Sequence, residues 1–148
     1  MIFQNVLEAI GDTPLIKLNK MVPERSADIY VKYEGVNIGG SIKTRSAYNI
    51  VKNALDRGEI DKNTTIVEAT SGNQGIALSL IGAVLGIRVI IVMPDSVSLE
   101  RRKLIKAYGS ELILIHDDNN IGECIENCLK KVRQLQKKFV QQKPFLKI

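Results

Sequence analysis

Tryptophan is absent from the 148 residues, histidine occurs once (His116) and cysteine twice (Cys124 and Cys128). Those three side chains cannot supply a four-ligand zinc site of histidine and cysteine, nor a disulfide framework. Four apart in a helical pattern, the cysteines read as small apolar residues on one helix face. His116 follows an apolar run and reads as a strand-end residue with a satisfied ring. Aromatic residues are 5% of the chain against a net charge of +5, so few rings are available to stack on bases. The excess charge lies largely in Lys130, Lys131, Arg133, Lys137, Lys138, Lys143 and Lys147, which read as a solvated helix face. No nucleic-acid partner is expected. No apolar run approaches the roughly 18 residues of a membrane span, so no membrane partner is expected. The N-terminus, MIFQNVLEAIGD, lacks the basic-then-apolar order of a signal peptide, and a cytoplasmic location is the expectation.

What is present is apolar and ordered. Hydrophobic residues make up 45% of the chain, enough for one domain with its own core. Asn5 to Ile10 read as a short helix stopped by Gly11-Asp12, followed by extended segments at Leu15 to Leu18 and Ile29 to Tyr33. Ser41 is a candidate N-cap for a helix to about Arg57, with Ala47, Ile50, Val51, Ala54 and Leu55 as its apolar stripe and Gly58 as its stop. From Thr65 onward, short apolar runs alternate with helical stretches. The predicted strands are Thr65 to Glu68, Arg88 to Met93 and Glu111 to Ile115; the helices run at about 73–85, 98–107 and 121–138. Phe145 to Ile148 can begin a further strand. On the last helix Ile121, Ile125, Cys128, Val132, Leu135 and Phe139 recur at spacings of three and four. Strand-helix repeats with continuously apolar strands give an α/β fold, a parallel sheet with helices on both faces.

Two loops carry the chemistry. Asn37-Ile38-Gly39-Gly40-Ser41-Ile42-Lys43-Thr44-Arg45 and Thr70-Ser71-Gly72-Asn73-Gln74-Gly75 each place small residues where an apolar run gives way to a helix. Backbone N–H groups are left free there to hold an anion. The second loop follows a strand end, the side of a parallel sheet where ligands gather. Lys43 lies just inside the first helix, within reach of whatever the second loop holds. A Walker A loop is excluded because Lys43 comes two residues late after Gly40, and G-x-G-x-x-G is absent from both loops.

At these residues the chain resembles the cysteine synthase and cystathionine β-synthase family, pyridoxal-phosphate enzymes of the fold called type II. The resemblance runs from Gly11-Asp12-Thr13-Pro14-Leu15 through both loops to Met93-Pro94. It continues through Ser98-Leu99-Glu100-Arg101-Arg102-Lys103-Leu104 and Tyr108-Gly109-Ser110-Glu111-Leu112. It implies pyridoxal 5'-phosphate as cofactor, Lys43 as the catalytic lysine that forms its Schiff base, and Asn73 on the ring hydroxyl. Thr70, Ser71, Gly72, Asn73 and Gln74 are implied as the residues that hold the amino-acid substrate. Two letters depart from the family pattern, Thr44 for its usual aspartate and Ile38 for its usual proline.

The family's chains are considerably longer, so the resemblance makes residues 1–148 a single N-terminal domain, with the C-terminal domain missing. It implies that residues 12–36 form a crossover segment packed on that second domain. Without it, Leu15, Ile16, Leu18, Ile29 and Val31 need another cover, such as a dimer or a swapped arrangement. The implied reaction is β-replacement on a serine-type amino acid, O-acetylserine and sulfide giving cysteine, in a homodimeric full-length enzyme. A cysteine lyase releasing sulfide, a cystathionine β-synthase and a 2,3-diaminopropionate synthase stay open. So does a non-catalytic remnant that binds a carboxylate or a partner. Little turnover is expected of the 148 residues alone.

Overall fold

The computed structural model describes residues 2–118, 120–140 and 145–148, with backbone only at 140 and 145. A 3-10 turn at Val6–Ala9, capped by the Asn5 side chain, leads to strands β1 (Leu15–Lys17) and β2 (Tyr30–Lys32). These two pair antiparallel, Ile16 opposite Val31. After them come α1 (Lys43–Asp56), β3 (Thr65–Ala69), α2 (Asn73–Leu85) and β4 (Arg88–Pro94). The remaining elements are α3 (Leu99–Ala107), β5 (Glu111–Ile115), α4 (Ile121–Val140) and β6 (Phe145–Lys147). The main sheet has the order β5-β4-β3-β6, parallel throughout.

Strand alternation divides the core in two. Ile66, Val89, Ile91 and Met93 face α1, α2 and α3, whereas Val67, Ile90 and Val92 face α4. Both faces of the sheet are therefore covered, which is why its central strands are apolar at every position. α2 is apolar on all sides, and Gly75 through Gly82 are buried without a break. A helix of that composition must be enclosed. It lies between α1, α3 and the sheet, so the loop at its N-terminus starts from a fixed platform.

Three local expectations shift. α1 begins at Lys43, one residue later than Ser41 as N-cap implies: the backbone cap falls at Ile42, while the Ser41 hydroxyl still accepts a first-turn N–H, that of Lys43 at 3.2 Å. On α1, Ala47, Val51 and Ala54 are buried, but Ile50 is exposed and lines an open cleft. On α4 the buried row is Cys124, Cys128 and Val132, with Leu135 and Phe139 packed beside it. Ile121 and Ile125 are 53% and 46% exposed. The helix begins level with the end of β5, where the Cys124 thiol meets the Ile115 and His116 carbonyls, so its first turn overhangs the sheet.

The small hairpin is thinly covered. Leu15 is 62% and Tyr30 51% exposed, and Ile16, Ile29 and Val31 are exposed beside them, while Leu18 is half-buried.

At Gly82, α2 comes so close to β4 that an added Cβ would lie 2.3 Å from Val89 Cγ2 and 2.9 Å from the Ile87 carbonyl oxygen. Alanine gains about 1 kcal/mol of helix propensity over glycine, but overpacking a buried contact costs about 1–3 kcal/mol. The rigid neighbours here, a buried valine and a backbone carbonyl, put the cost at the upper end. Gly82→Ala is expected to destabilise the fold by about 1–2 kcal/mol net, read as a lower urea midpoint at unchanged slope; a higher midpoint would contradict the close approach.

Candidate active site

The Thr70 to Gly75 loop is built by hydrogen bonds that use up some backbone groups and free others. Thr70 N–H donates to the Val92 carbonyl at 3.0 Å, carrying the β3–β4 pairing one residue beyond the strand. Gly72 N–H donates to the Thr70 hydroxyl at 3.2 Å, and the Gly72 carbonyl accepts from Gly75 at 3.0 Å and Ile76 at 3.3 Å. The N–H groups of Ser71, Asn73 and Gln74 then have no partner among the described residues. They open at the N-terminus of the buried helix α2, where the helix dipole favours an anion. Arg101, from α3, donates to the Ser71 carbonyl at 3.1 Å, and its guanidinium lies against Gly72. A side chain on Gly72 would meet that guanidinium at 3.3 Å.

Lys43 opens α1 beside this loop with its side chain exposed. An open cleft of about 630 Å³ is lined by Lys43, Ser46 and Ile50 from α1, Glu68 from the end of β3, residues 70–74, Arg101 and Ile148. Every residue singled out for a site, Lys43, Thr70, Ser71, Gly72, Asn73 and Gln74, lies on its wall. A primary amine, a side-chain amide and free backbone N–H groups around one cleft suit a carbonyl compound that also carries an anion. That donor set fits pyridoxal phosphate with an amino acid.

Two wall residues escaped the sequence reading. Glu68 is half-buried, and burial pushes its carboxyl up to about 7, with Lys147 pulling the other way. Its signal was an acid in register with buried Ile66, on a strand otherwise apolar on that face. Arg101 gave none, because its partner Ser71 is thirty residues away.

The loop before Lys43 is held by a polar knot. Arg45 forms a forked ion pair with Glu34, Nε donating to both carboxylate oxygens at 3.1 and 2.9 Å and Nη2 to Oε1 at 2.9 Å. The Thr13 hydroxyl and the Asn37 amide also donate to that carboxylate, at 2.7 and 3.0 Å. Asn37 Oδ1 accepts from Gly11 N–H at 3.2 Å. The two departures from the family pattern touch: the buried Thr44 hydroxyl donates to the Ile38 carbonyl at 2.5 Å.

Away from the cleft the chemistry is structural. His116 Nδ1 lies 2.7 Å from Asp95 and Nε2 3.1 Å from Asp118, which raises the imidazole and satisfies its ring. Both thiols are buried and raised, Cys128 to about 11, so neither is a ready nucleophile. No cluster of metal-ligating side chains occurs among the described residues, and none of their helices is long and apolar enough to cross a membrane.

An α/β sheet that presents an amine and an anion nest together at the carboxyl ends of its strands defines an enzyme-type small-molecule site. Residues 6–146 match the sequence profile of the family described as pyridoxal-phosphate dependent enzyme, and the chain belongs to that family. It is 45% identical over 126 residues to a cysteine synthase of Flavobacterium, covering 85% of this chain and 41% of that one. Among solved structures, a hydrogen sulfide-producing enzyme of Fusobacterium nucleatum superposes at a TM-score of 0.85 with 41% identity, over 99% of this chain and 46% of the other. A cysteine synthase of Entamoeba histolytica gives 0.88 with 36% identity, over 99% and 43%. The chain thus spans less than half the length of the relatives it matches.

Thr13, Arg45 and Asn37 hold the Glu34 carboxyl down from 4.5 to about 2, the Arg45 hydrogen bond contributing most. A carboxyl depressed on folding stabilises fully above its unfolded value, and the gain fades as pH falls through 4.5 toward 2. Wild type is therefore expected to exceed Glu34→Gln in urea midpoint near neutral pH, with the gap closing in that acid window. A gap indifferent to pH would mean that the knot is not held by charge.

Proposed function

We propose that this chain serves pyridoxal-phosphate-dependent β-replacement on a serine-type amino acid, with O-acetylserine and sulfide giving cysteine. The observation that carries the reading is that Lys43 lines one cleft with Ser71, Asn73 and Gln74, whose N–H groups are free among the described residues. Likeness to cysteine synthases supports it. When bound, the cofactor supplies an electron sink for charge developing at the substrate Cα. Lys43 anchors the cofactor covalently and, once released, takes and returns the Cα proton. Asn73 orients the ring through its amide. Thr70, Ser71, Gly72 and Gln74 grip the substrate carboxylate, whose charge the α2 N-terminus stabilises.

A second reading is a cysteine lyase that releases sulfide, favoured by the likeness to the Fusobacterium enzyme. The same residues serve it, since the two reactions share the steps at Cα. In either case the exposed face of the β1–β2 hairpin, within the segment 12–36, is where a second domain packs, and the whole protein works as a cytoplasmic homodimer.

The purified chain mixed with pyridoxal phosphate, reduced with borohydride and mapped by peptide mass is expected to carry the cofactor on Lys43. Label scattered over surface lysines would favour a carboxylate-binding remnant instead. In the active protein, Lys43→Ala is expected to lower turnover by about 10²–10⁴-fold or more, the range that a positioned acid-base group contributes. O-acetylserine with sulfide, assayed beside cysteine alone, separates the two readings.

A further inference from the structure

Of the ionisable side chains on the cleft wall, Glu68 is left without work by the roles above. It is the last residue but one of β3 and points to the side of Lys43, not into the α4 core. Among the described residues no hydrogen bond supports its charge; desolvation dominates its environment, opposed by the attraction of Lys147 on β6. The other charges on the cleft are Lys43 on α1 and Arg101 on α3, and neither forms an ion pair with it. A half-buried carboxyl without a donor costs stability, and such a group beside a reactive amine marks a functional position.

Replacement at Cβ moves two protons, and Lys43 accounts only for the one at Cα. The other travels with the β-substituent. Acetate leaves as a weak base and needs no proton, whereas hydrosulfide leaves as a stronger base and hydroxide as a far stronger one, and both gain from a proton on departure. Resting on the β-replacement and lyase reading, we infer that Glu68 is a catalytic residue that exchanges the proton of the sulfur bonded at substrate Cβ. In the lytic direction the electron pair of the Cβ–S bond goes to sulfur, and the Glu68 O–H gives it a proton. The resulting carboxylate regains its proton from water. In the synthetic direction a sulfur lone pair of hydrogen sulfide forms the bond to Cβ, one S–H proton passes to the Glu68 carboxylate, and the other remains as the cysteine thiol. The site is therefore suited to thiol and hydroxyl substituents, beyond esters.

Two measurements test this, a titration of this chain and trapping with turnover assays on the active protein. Carbon-13 titration of glutamate-labelled protein is expected to show one carboxyl with a midpoint near neutrality that is absent from Glu68→Gln; a wild-type chain whose glutamates all titrate in the ordinary acid range overturns the inference without any variant. With pyridoxal phosphate, wild type and Glu68→Gln are both expected to be trapped on Lys43 by borohydride. The variant is expected to release sulfide from cysteine about 100-fold more slowly and to lose the limb of the pH profile near neutrality, with a smaller loss of acetate release from O-acetylserine. Equal losses with both substrates, or undiminished sulfide release, overturn the role of Glu68 while Lys43 trapping leaves the β-replacement reading standing. Failure to trap Lys43 in either form removes that reading, and this inference with it.

Discussion

The forked pair between Glu34 and Arg45 is the contact on which the placement of the site depends. β1 and β2 contribute three exposed residues each, so the segment they form has almost no core of its own to locate it. It is tied to the body through polar contacts that converge on one carboxylate. Arg45 comes from the first turns of α1, Thr13 from the bend before β1, and Asn37 from the loop between β2 and α1. Asn37 then passes the constraint on, accepting Gly11 N–H with its side chain and Gly40 N–H with its carbonyl. Three stretches, residues 11–13, residues 34–40 and Arg45 of α1, meet within hydrogen-bond distance. Lys43 stands three residues beyond Gly40 and inherits its position from that network.

The opposite wall is fixed by a different force. α2 has no polar face, and its enclosure between helices and sheet places the loop at its N-terminus by apolar packing. An anion nest works only if its N–H groups point the same way before the ligand arrives. Here the Thr70 hydroxyl, the Val92 carbonyl and Arg101 hold the loop shape at three points, and each leaves the free N–H groups untouched. One wall of the cleft is thus held by charge in a partly exposed knot and the other by desolvated packing. Acid weakens the first and leaves the second alone.

How far the letters carried depended on the range of the interaction. β3 and β4 were legible because burial on both faces makes a strand apolar, the half-covered edge strand β5 because its run of leucine and isoleucine is short and bounded, and α2 because it is apolar all round. Both loops were legible as local chemistry, small residues at a strand end before a helix. The start of α1 was legible to within one residue, because the Ser41 hydroxyl takes a first-turn N–H as a cap does. Ile121 and Ile125 fit the α4 spacing, but periodicity does not report where the sheet ends beneath the helix. Arg101 and the Glu34 knot were invisible because their partners lie eleven to thirty-two residues away. Glu68 left a trace that was not used.

The two departures from the family pattern, Thr44 and Ile38, lie in the loop that leads to Lys43 and at its first helical turn. A hydrogen bond joins them. Thr44 is fully buried, and its hydroxyl has one job, to satisfy the Ile38 carbonyl. A carboxylate at position 44 would set acceptor against acceptor at this distance, and the carbonyl would lose its donor, at a cost of about 1–3 kcal/mol for an unsatisfied buried group. The loop as it stands therefore requires a donor at 44. Gly39 completes the fit: with φ at +81°, it lies where any Cβ would come within 2.7 Å of the Thr44 hydroxyl. The Ile38 carbonyl, Gly39 and Thr44 therefore meet at one close contact in the loop that leads to Lys43. Thr44 is thus a local solution to holding the loop before Lys43, whereas the Ile38 side chain takes no part in the bond, since a proline there would offer the same carbonyl.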